Sequence, residues 1–253
     1  MKILLSITYH AMKKILLPAL TLLFAVSVFA QNNPSSEKKK TTIDLSGRAN
    51  DHFMIQLGSY GWFGRPDTIK TKGFSKSINF YFLFDFPFKT NPHFSVAVGP
   101  GIGTDMMYFN KTYVGIKDNT SSIAIIDQSD TTHFKKTKLG MAWVEAPVEL
   151  RYTFDPANNA KSLKLALGVK IGALLNAHTR NKDFVNSNGG IIYQYVQKEA
   201  SKKFFNGNRI VVSARAGLGH FSLFYTYQVS TLFKENRGPN VNPFSFGVTL
   251  SGL

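Results

Sequence analysis

Between Ser77 and Phe88 the chain alternates strictly. Ile78, Phe80, Phe82, Phe84, Phe86 and Phe88 share one face, and Ser77, Asn79, Tyr81, Leu83, Asp85 and Pro87 share the other. A two-residue period belongs to an extended strand, whose successive Cβ atoms point to opposite sides. The pattern recurs down the chain. Over 141–154, Ala142, Val144, Ala146, Val148, Leu150, Tyr152 and Phe154 oppose Trp143, Glu145, Glu149, Arg151 and Thr153. Over 163–177, Leu163, Leu165, Leu167, Val169, Ile171, Ala173 and Leu175 oppose Lys164, Ala166, Lys170 and Gly172. Ile210, Val212, Ala214 and Ala216 alternate with Ser213 and Arg215, and Phe244, Phe246, Val248 and Leu250 with Ser245, Gly247, Thr249 and Ser251. Such runs exceed the usual five or six residues of a soluble strand and match a tilted membrane strand. Beyond the first thirty residues no stretch holds the roughly 18 apolar residues of a spanning helix. If this part of the chain enters lipid it must close into a barrel, because lipid offers no partner to an open strand edge.

The alternation predicts eight strands, at about 53–64, 74–88, 93–109, 138–154, 161–179, 208–217, 221–232 and 243–253. The connections after odd-numbered strands are long: Arg65–Gly73, Asn110–Thr137, Arg180–Gly207 and Phe233–Asn242. Those after even-numbered strands are tight: Lys89–Pro92, Asp155–Ala160 and Leu218–His220. This sorting puts all the long loops at one end, as in outer-membrane barrels with short periplasmic turns and longer outside loops. The expected fold is therefore an all-β, eight-stranded, antiparallel, up-and-down transmembrane barrel. A soluble lipocalin-like barrel, with its apolar faces turned inward, is the competing fold. Phe86, Phe88, Phe94, Tyr152, Phe154 and Phe221 are expected in a lipid-facing girdle near the short turns. Phe63, Tyr108 and Phe233 are expected in a second girdle near the long loops.

The N-terminus supplies the address. Lys13 and Lys14 precede an apolar run, Ile15–Phe29, that ends in Val28-Phe29-Ala30 before polar Gln31-Asn32-Asn33. This is the order of a secretory signal peptide, and Met12 opens a more conventional one than Met1. Residues 1–30 are read as the signal, 31–51 as a flexible periplasmic leader and 52–253 as the barrel. With no cysteine, neither disulfides nor thiolate metal sites are available.

The signal ending in Ala30-Gln31, the eight alternating strands and the segment Glu145-Ala146-Pro147-Val148-Glu149-Leu150-Arg151-Tyr152 together resemble the outer-membrane β-barrel domain family of the PorT-like type, common in the Bacteroidetes. The resemblance is one of pattern and covers nearly all of 52–253. It implies an outer-membrane location in a Gram-negative cell envelope, and for function an accessory role in a secretion or envelope complex. One departure is the last residue, Leu253, where many outer-membrane barrels end in an aromatic.

Eight strands enclose an interior just filled by side chains, so a plug is expected rather than an aqueous pore. The inward face carries Asp85, Glu145, Glu149, Arg151, Lys164, Lys170 and Arg215. Buried charges persist only when paired and hydrogen-bonded, which predicts a network with Glu145 and Glu149 facing Lys164, Lys170 and Arg215. Glycines on the same face (Gly58, Gly99, Gly101, Gly103, Gly168 and Gly172) make room for the long basic side chains, and Pro100 and Pro147 predict bulges or bends. The formal charge of +15 falls only to +12 when the signal takes three lysines with it. Lys135, Lys136, Lys138, Lys202 and Lys203 in the outside loops are expected to contact outer-leaflet glycolipid, with Arg209 also counted among the basic loop residues. Nucleic acid is excluded by address and by the lack of any recognition motif. His133, His178, Asp183 and Ser187 are the residues a lipid-modifying enzyme would have to use, but no Gly-x-Ser-x-Gly and no metal-spaced histidine pair is present. The chain is expected to be a monomeric, non-enzymatic barrel without a cofactor, in contact with membrane lipid, an external partner or an envelope complex.

Overall fold

A computed structural model of the chain describes residues 52–158 and 161–252. The signal, the leader and Leu253 lie outside the described residues. The strands are β1 (Phe53–Phe63), β2 (Lys76–Phe82), β3 (Phe84–Pro87), β4 (Phe94–Val98), β5 (Gly101–Phe109), β6 (Thr112–Gly115), β7 (Ala124–Asp127), β8 (His133–Thr153), β9 (Leu163–Val185), β10 (Ile191–Ala200), β11 (Asn208–Leu218), β12 (Phe221–Gln228) and β13 (Asn242–Ser251). β9 pairs with β11, then follow β12, β13, β1, β2, β5 and β8, and β8 pairs back to β9. These pairings close an eight-stranded antiparallel ring, and β3 and β4 continue β2 and β5 toward the short turns.

The apolar faces point outward. Leu167, Phe221 and Leu223 are 66, 71 and 68% exposed, while the opposite face buries Gln56, Glu149 and Lys170. A soluble barrel would reverse this order; lipid requires it. Near the short turns, aromatic rings touch in series: Phe53–Phe82 at 5.1 Å, Phe82–Phe84 at 5.1 Å, Phe94–Tyr152 at 4.9 Å and Tyr152–Phe154 at 4.9 Å. Phe63 with Phe244, at 4.3 Å, belongs to the other rim. Gly219 takes the left-handed conformation (φ 57°) that the two-residue turn between β11 and β12 requires.

Several strand and loop expectations change. The stretch 110–137, expected as a loop, contains the β6–β7 hairpin and the first turns of β8. The stretch 180–207, also expected as a loop, holds the end of β9 and all of β10, so β10 takes the place of β11 beside β9, and β8, β9 and β10 run on past the end of β5 at Phe109. Strand pairing persists there because one face still packs: Leu139, Ala177 and Thr179 are buried. Lys135, Lys136 and Lys138 therefore sit on strand β8, not in a loop. Phe233 faces inward and is buried, not lipid-exposed. Pro100 does break its strand, between β4 and β5. Pro147 causes no bulge; it lies across from that same break, where no ladder donor is needed, and the register shift in β8 falls at Ala142/Trp143 instead.

Val148 projects into lipid at mid-strand, so Val148→Arg is expected to cost about 2–4 kcal/mol of folding free energy in bilayers. Ile126→Arg, on the exposed β6–β7 hairpin, is expected to stay within about 0.5 kcal/mol. Denaturant titration in lipid vesicles checks the contrast, and equal costs would overturn the assignment of faces.

Candidate functional site: the filled interior and its capped mouth

The lumen is organised in levels. Nearest the short turns, Arg215 donates to Glu149 Oε2 at 2.9 Å and to Ser222 at 3.3 Å. Arg151 Nε donates to the same carboxylate at 3.1 Å and lies 3.7 Å from Asp85. Lys164 is buried at this level too. In the middle, Lys170 donates to Gln56 Oε1 and to Tyr81 Oη, both at 2.9 Å, and Tyr81 donates to Glu145 Oε2 at 2.5 Å. Above it Arg209 bridges two carboxylates, with Nη1 to Asp105 at 2.6 Å and Nε to Glu145 at 2.8 Å. Its guanidinium stacks over Trp143 at 4.4 Å, and Ser77 donates to Asp105 at 2.9 Å. Glu145, Glu149, Asp105, Arg151, Lys170, Arg209 and Arg215 are thus each held by opposite charge or by several hydrogen bonds, the condition for keeping ions out of water.

Glu149 meets Arg215, while Glu145 takes Arg209 as its ion partner in place of Lys164, Lys170 or Arg215. Lys170 reaches Glu145 only through the Tyr81 hydroxyl. Arg209, counted among the outside loops, is buried on β11. Stepping back from Arg215 by twos along β11 lands on Arg209, so the alternation itself contained the signal. Glycine leaves the space: a Cβ on Gly103 would lie 2.8 Å from Arg209 and 3.0 Å from Glu145, and one on Gly172 3.1 Å from Arg209 Cγ.

Over this polar lumen sits an apolar cap that the sequence reading missed. Inward residues at the strand ends (Trp62, Met107, Phe109, Leu139, Trp143) pack against residues of the long connections. These are Ile69, Val114, Ile116 and Ile123, Phe204 and Phe205, and Leu232, Phe233 and Val241. Trp62 meets Phe233 edge-on at 5.9 Å, and Phe205 lies 5.3 Å from Phe233. The connections are also tied to one another. Asn206 Nδ2 donates to the carbonyls of Thr231 and Phe233, Ile123 N to Arg237 O, and Arg237 to Ser121 O. Isolated apolar pairs inside polar loops, such as Phe204-Phe205 and Leu232-Phe233, were the available clue. Below the cap, a cavity of about 20 Å³ lies among Tyr60, Asn79, Asp105, Lys170, Arg209 and Gln228, with room for one water.

His133 pairs in register with Val185, two positions from both Asp183 and Ser187, but among the described residues no hydrogen bond or ion pair joins His133, His178, Asp183 and Ser187. His133 is buried at the start of β8 with Nδ1 2.9 Å from Thr131 O; Ser187 lies in the β9–β10 turn. His178 and Asp183 are five positions apart on β9, about 16 Å along a strand. Lys202 and Lys203 are exposed on the β10–β11 connection, where Lys203 Nζ donates to Asp118 O and Thr120 O.

A closed ring with an apolar exterior, aromatic rims and a polar, filled interior defines a transmembrane β-barrel of the outer-membrane kind. The chain belongs to the outer membrane protein beta-barrel domain family, whose model matches residues 29–251, and its location is the cell outer membrane. In such barrels the short turns face the periplasm, so the cap and the β8–β10 extension lie outside. Among solved structures, the chain is similar to the attachment invasion locus protein Ail of Yersinia pestis: 11% identity over 79% of this chain and 94% of that chain, with a TM-score of 0.34. It is also similar to the same protein in complex with the heparin analogue sucrose octasulfate: 14% identity, 79% and 96% coverage, TM-score 0.30. No curated relative matches the sequence.

Removing Arg209 would leave Asp105 and Glu145 buried without their cation. Arg209→Ala is expected to cost about 3–5 kcal/mol, against less than about 0.5 for Lys202→Ala, in denaturant titration. On the outer hairpin, Lys70 lies 2.7 Å from Asp127, and this contact together with Ser129 holds the Asp127 carboxyl down at about 2. A depressed carboxyl stabilises the hairpin contact above its unfolded value of about 3.9, and that contribution is lost as pH falls through about 2. NMR titration is expected to find the low midpoint and its return toward the ordinary value in Lys70→Met.

Proposed function

We propose that the protein is a closed, non-conducting and non-enzymatic outer-membrane barrel whose working part is its outer end, where basic residues meet the phosphorylated glycolipid of the outer leaflet. The observation that carries this reading is the plug. Among the described residues the lumen is filled by paired charges and covered outside by an apolar cap, and the cavity between them has room for about one water. What remains available is the exterior above the lipid band, which carries exposed Lys136, Arg180, Lys182 and Lys198. In this reading residues 1–30 are the export signal, 31–51 the periplasmic leader, and the protein acts as a monomer.

A second reading, accessory subunit of a secretion or envelope complex of the PorT-like kind, is favoured by one feature. Among the described residues β10 ladders to β9 alone, and Ile191, Ile192, Tyr193 and Tyr195 stand exposed on it. An open edge with apolar side chains is a template for a protein partner. Co-purification of one defined envelope protein, lost when Tyr193 and Tyr195 are changed to Asp, would favour it.

The primary reading is tested in planar bilayers and by detergent exchange. The protein is expected to insert without steady conductance and to carry phosphorylated glycolipid through exchange into phosphatidylcholine. Sustained conductance steps, or a protein stripped free of glycolipid, would overturn it.

A further inference from the structure

The extension formed by β8, β9 and β10 places like charges side by side. Lys138 is the register partner of Arg180, and Arg180 that of Lys198. One step further out, Lys136 pairs with Lys182; one step nearer the membrane, His178 lies between Gly140 and Ala200. All six basic residues alternate with buried Thr137, Leu139, Thr179 and Asn181, so they share the outward face. Directly opposed like charges destabilise a sheet, and a three-strand row of them has no structural use by itself. Among the described residues Lys138, Arg180 and Lys198 have no ion-pair partner, and the one polar contact of Lys138 is Met106 Sδ at 3.9 Å. Glu199 also lines this region, with its carboxylate accepting from Gln197 at 3.0 Å, and the flanking Lys182 forms an ion pair with Asp183 at 3.8 Å.

The place is also shaped. Lys138, Asn176, His178, Arg180, Lys198, Glu199 and Ala200 line an open hollow of about 380 Å³, four cationic or titratable basic side chains against one carboxylate. The His178 ring lies directly over Gly140, where a Cβ would come within 2.6 Å of it, and its buried Nδ1 has no hydrogen-bond partner. Burial, and then the neighbouring cations, hold Lys138 and His178 below their usual pKa ranges, as expected of crowded cations. Height completes the case. Along β9 the exposed apolar residues end at Leu175, although Val196 on β10 stands exposed beside Lys182. His178 and Arg180 stand three and five residues beyond, about 10 and 16 Å along the strand and about 7 and 12 Å above Leu175 at barrel tilt. That is the depth of a glycolipid's phosphorylated head, approached sideways by a molecule whose acyl chains lie along Val144, Ile171 and Leu175.

We propose that the Lys138–Arg180–Lys198 row, flanked by Lys136, Lys182 and His178, is a binding site for the phosphate groups of an outer-leaflet glycolipid. It rests on the functional reading above but moves the contact off the loops: of the lysines first expected to make it, Lys136 and Lys138 belong to the site, and Lys135, Lys202 and Lys203 do not. Planar, bidentate Arg180 supplies geometry, and the lysines supply point charge.

The test uses the full barrel in nanodiscs of phosphatidylcholine, of phosphatidylcholine with a minor fraction of diphosphorylated diglucosamine lipid, and of the same mixture after phosphatase treatment. Retained glycolipid is counted by native mass spectrometry. The wild type is expected to hold the phosphorylated lipid and not the treated one. Arg180→Gln/Lys198→Gln is expected to weaken retention about tenfold or more, whereas Lys202→Gln/Lys203→Gln retains it. A heat-dependent shift in gel mobility verifies that each variant is a closed barrel. If the wild type holds no glycolipid, the functional reading and the site both fail. If it does, but the loss follows Lys202 and Lys203 or is absent from Arg180→Gln/Lys198→Gln, the site alone fails. Equal binding of the soluble phosphorylated diglucosamine head in plain phosphatidylcholine discs would overturn the lipid as the source of the phosphate.

Discussion

A backbone N–H or C=O left unpaired in hydrocarbon has no water to turn to, and the whole molecule follows from that. Ring closure satisfies it: β1 against β13 joins the two ends of the barrel sequence, and β8 against β9 completes the circuit. Once the edges are gone, each strand has one face for lipid and one for the lumen. Leu167 and Leu223 outside, Lys170 and Glu149 inside, are two sides of the same pleat.

Closure with eight strands then creates the interior problem. The lumen is too narrow for a water column, so its polar face must satisfy itself. Arg209 held between Asp105 and Glu145 links β11 to β5 and β8, and Glu149 held between Arg151 and Arg215 links β8 to β11 across the glycines of β9. Above this level the same inward face turns apolar, and the long connections fold down on it through Phe204, Phe205 and Phe233. The outer half of the barrel therefore has a core like that of a soluble domain, and the loops serve as its lid.

Beyond the lid, β8–β10 continue as strands although lipid no longer demands it. Their buried face supports the ladder, and their open face carries cations in rows. Such a face is costly to the sheet and useful only against an anion, so the extension is where interaction, rather than stability, is the ruling constraint.

Much of this was legible in the sequence. A two-residue period needs only the order of residues, so the eight ring strands, the lipid faces and the inward positions of Asp85, Glu145, Glu149, Arg151, Lys164, Lys170 and Arg215 could be read directly. The sorting of long from short connections located the two ends. The ion partners could not be read, because a pairing across the lumen depends on the stagger between strands far apart in sequence, such as Asp105 on β5 and Arg209 on β11. The cap escaped for a related reason: Ile69, Val114, Phe204 and Leu232 come from four connections, and no local pattern announces that they meet. The cation row escaped because Lys138, Arg180 and Lys198 align only once the register is known. By itself the sequence determined the barrel and which side chains face inward, since these follow from local periodicity. The tertiary structure decided who meets whom, since distances between distant strands are set by closure and register alone.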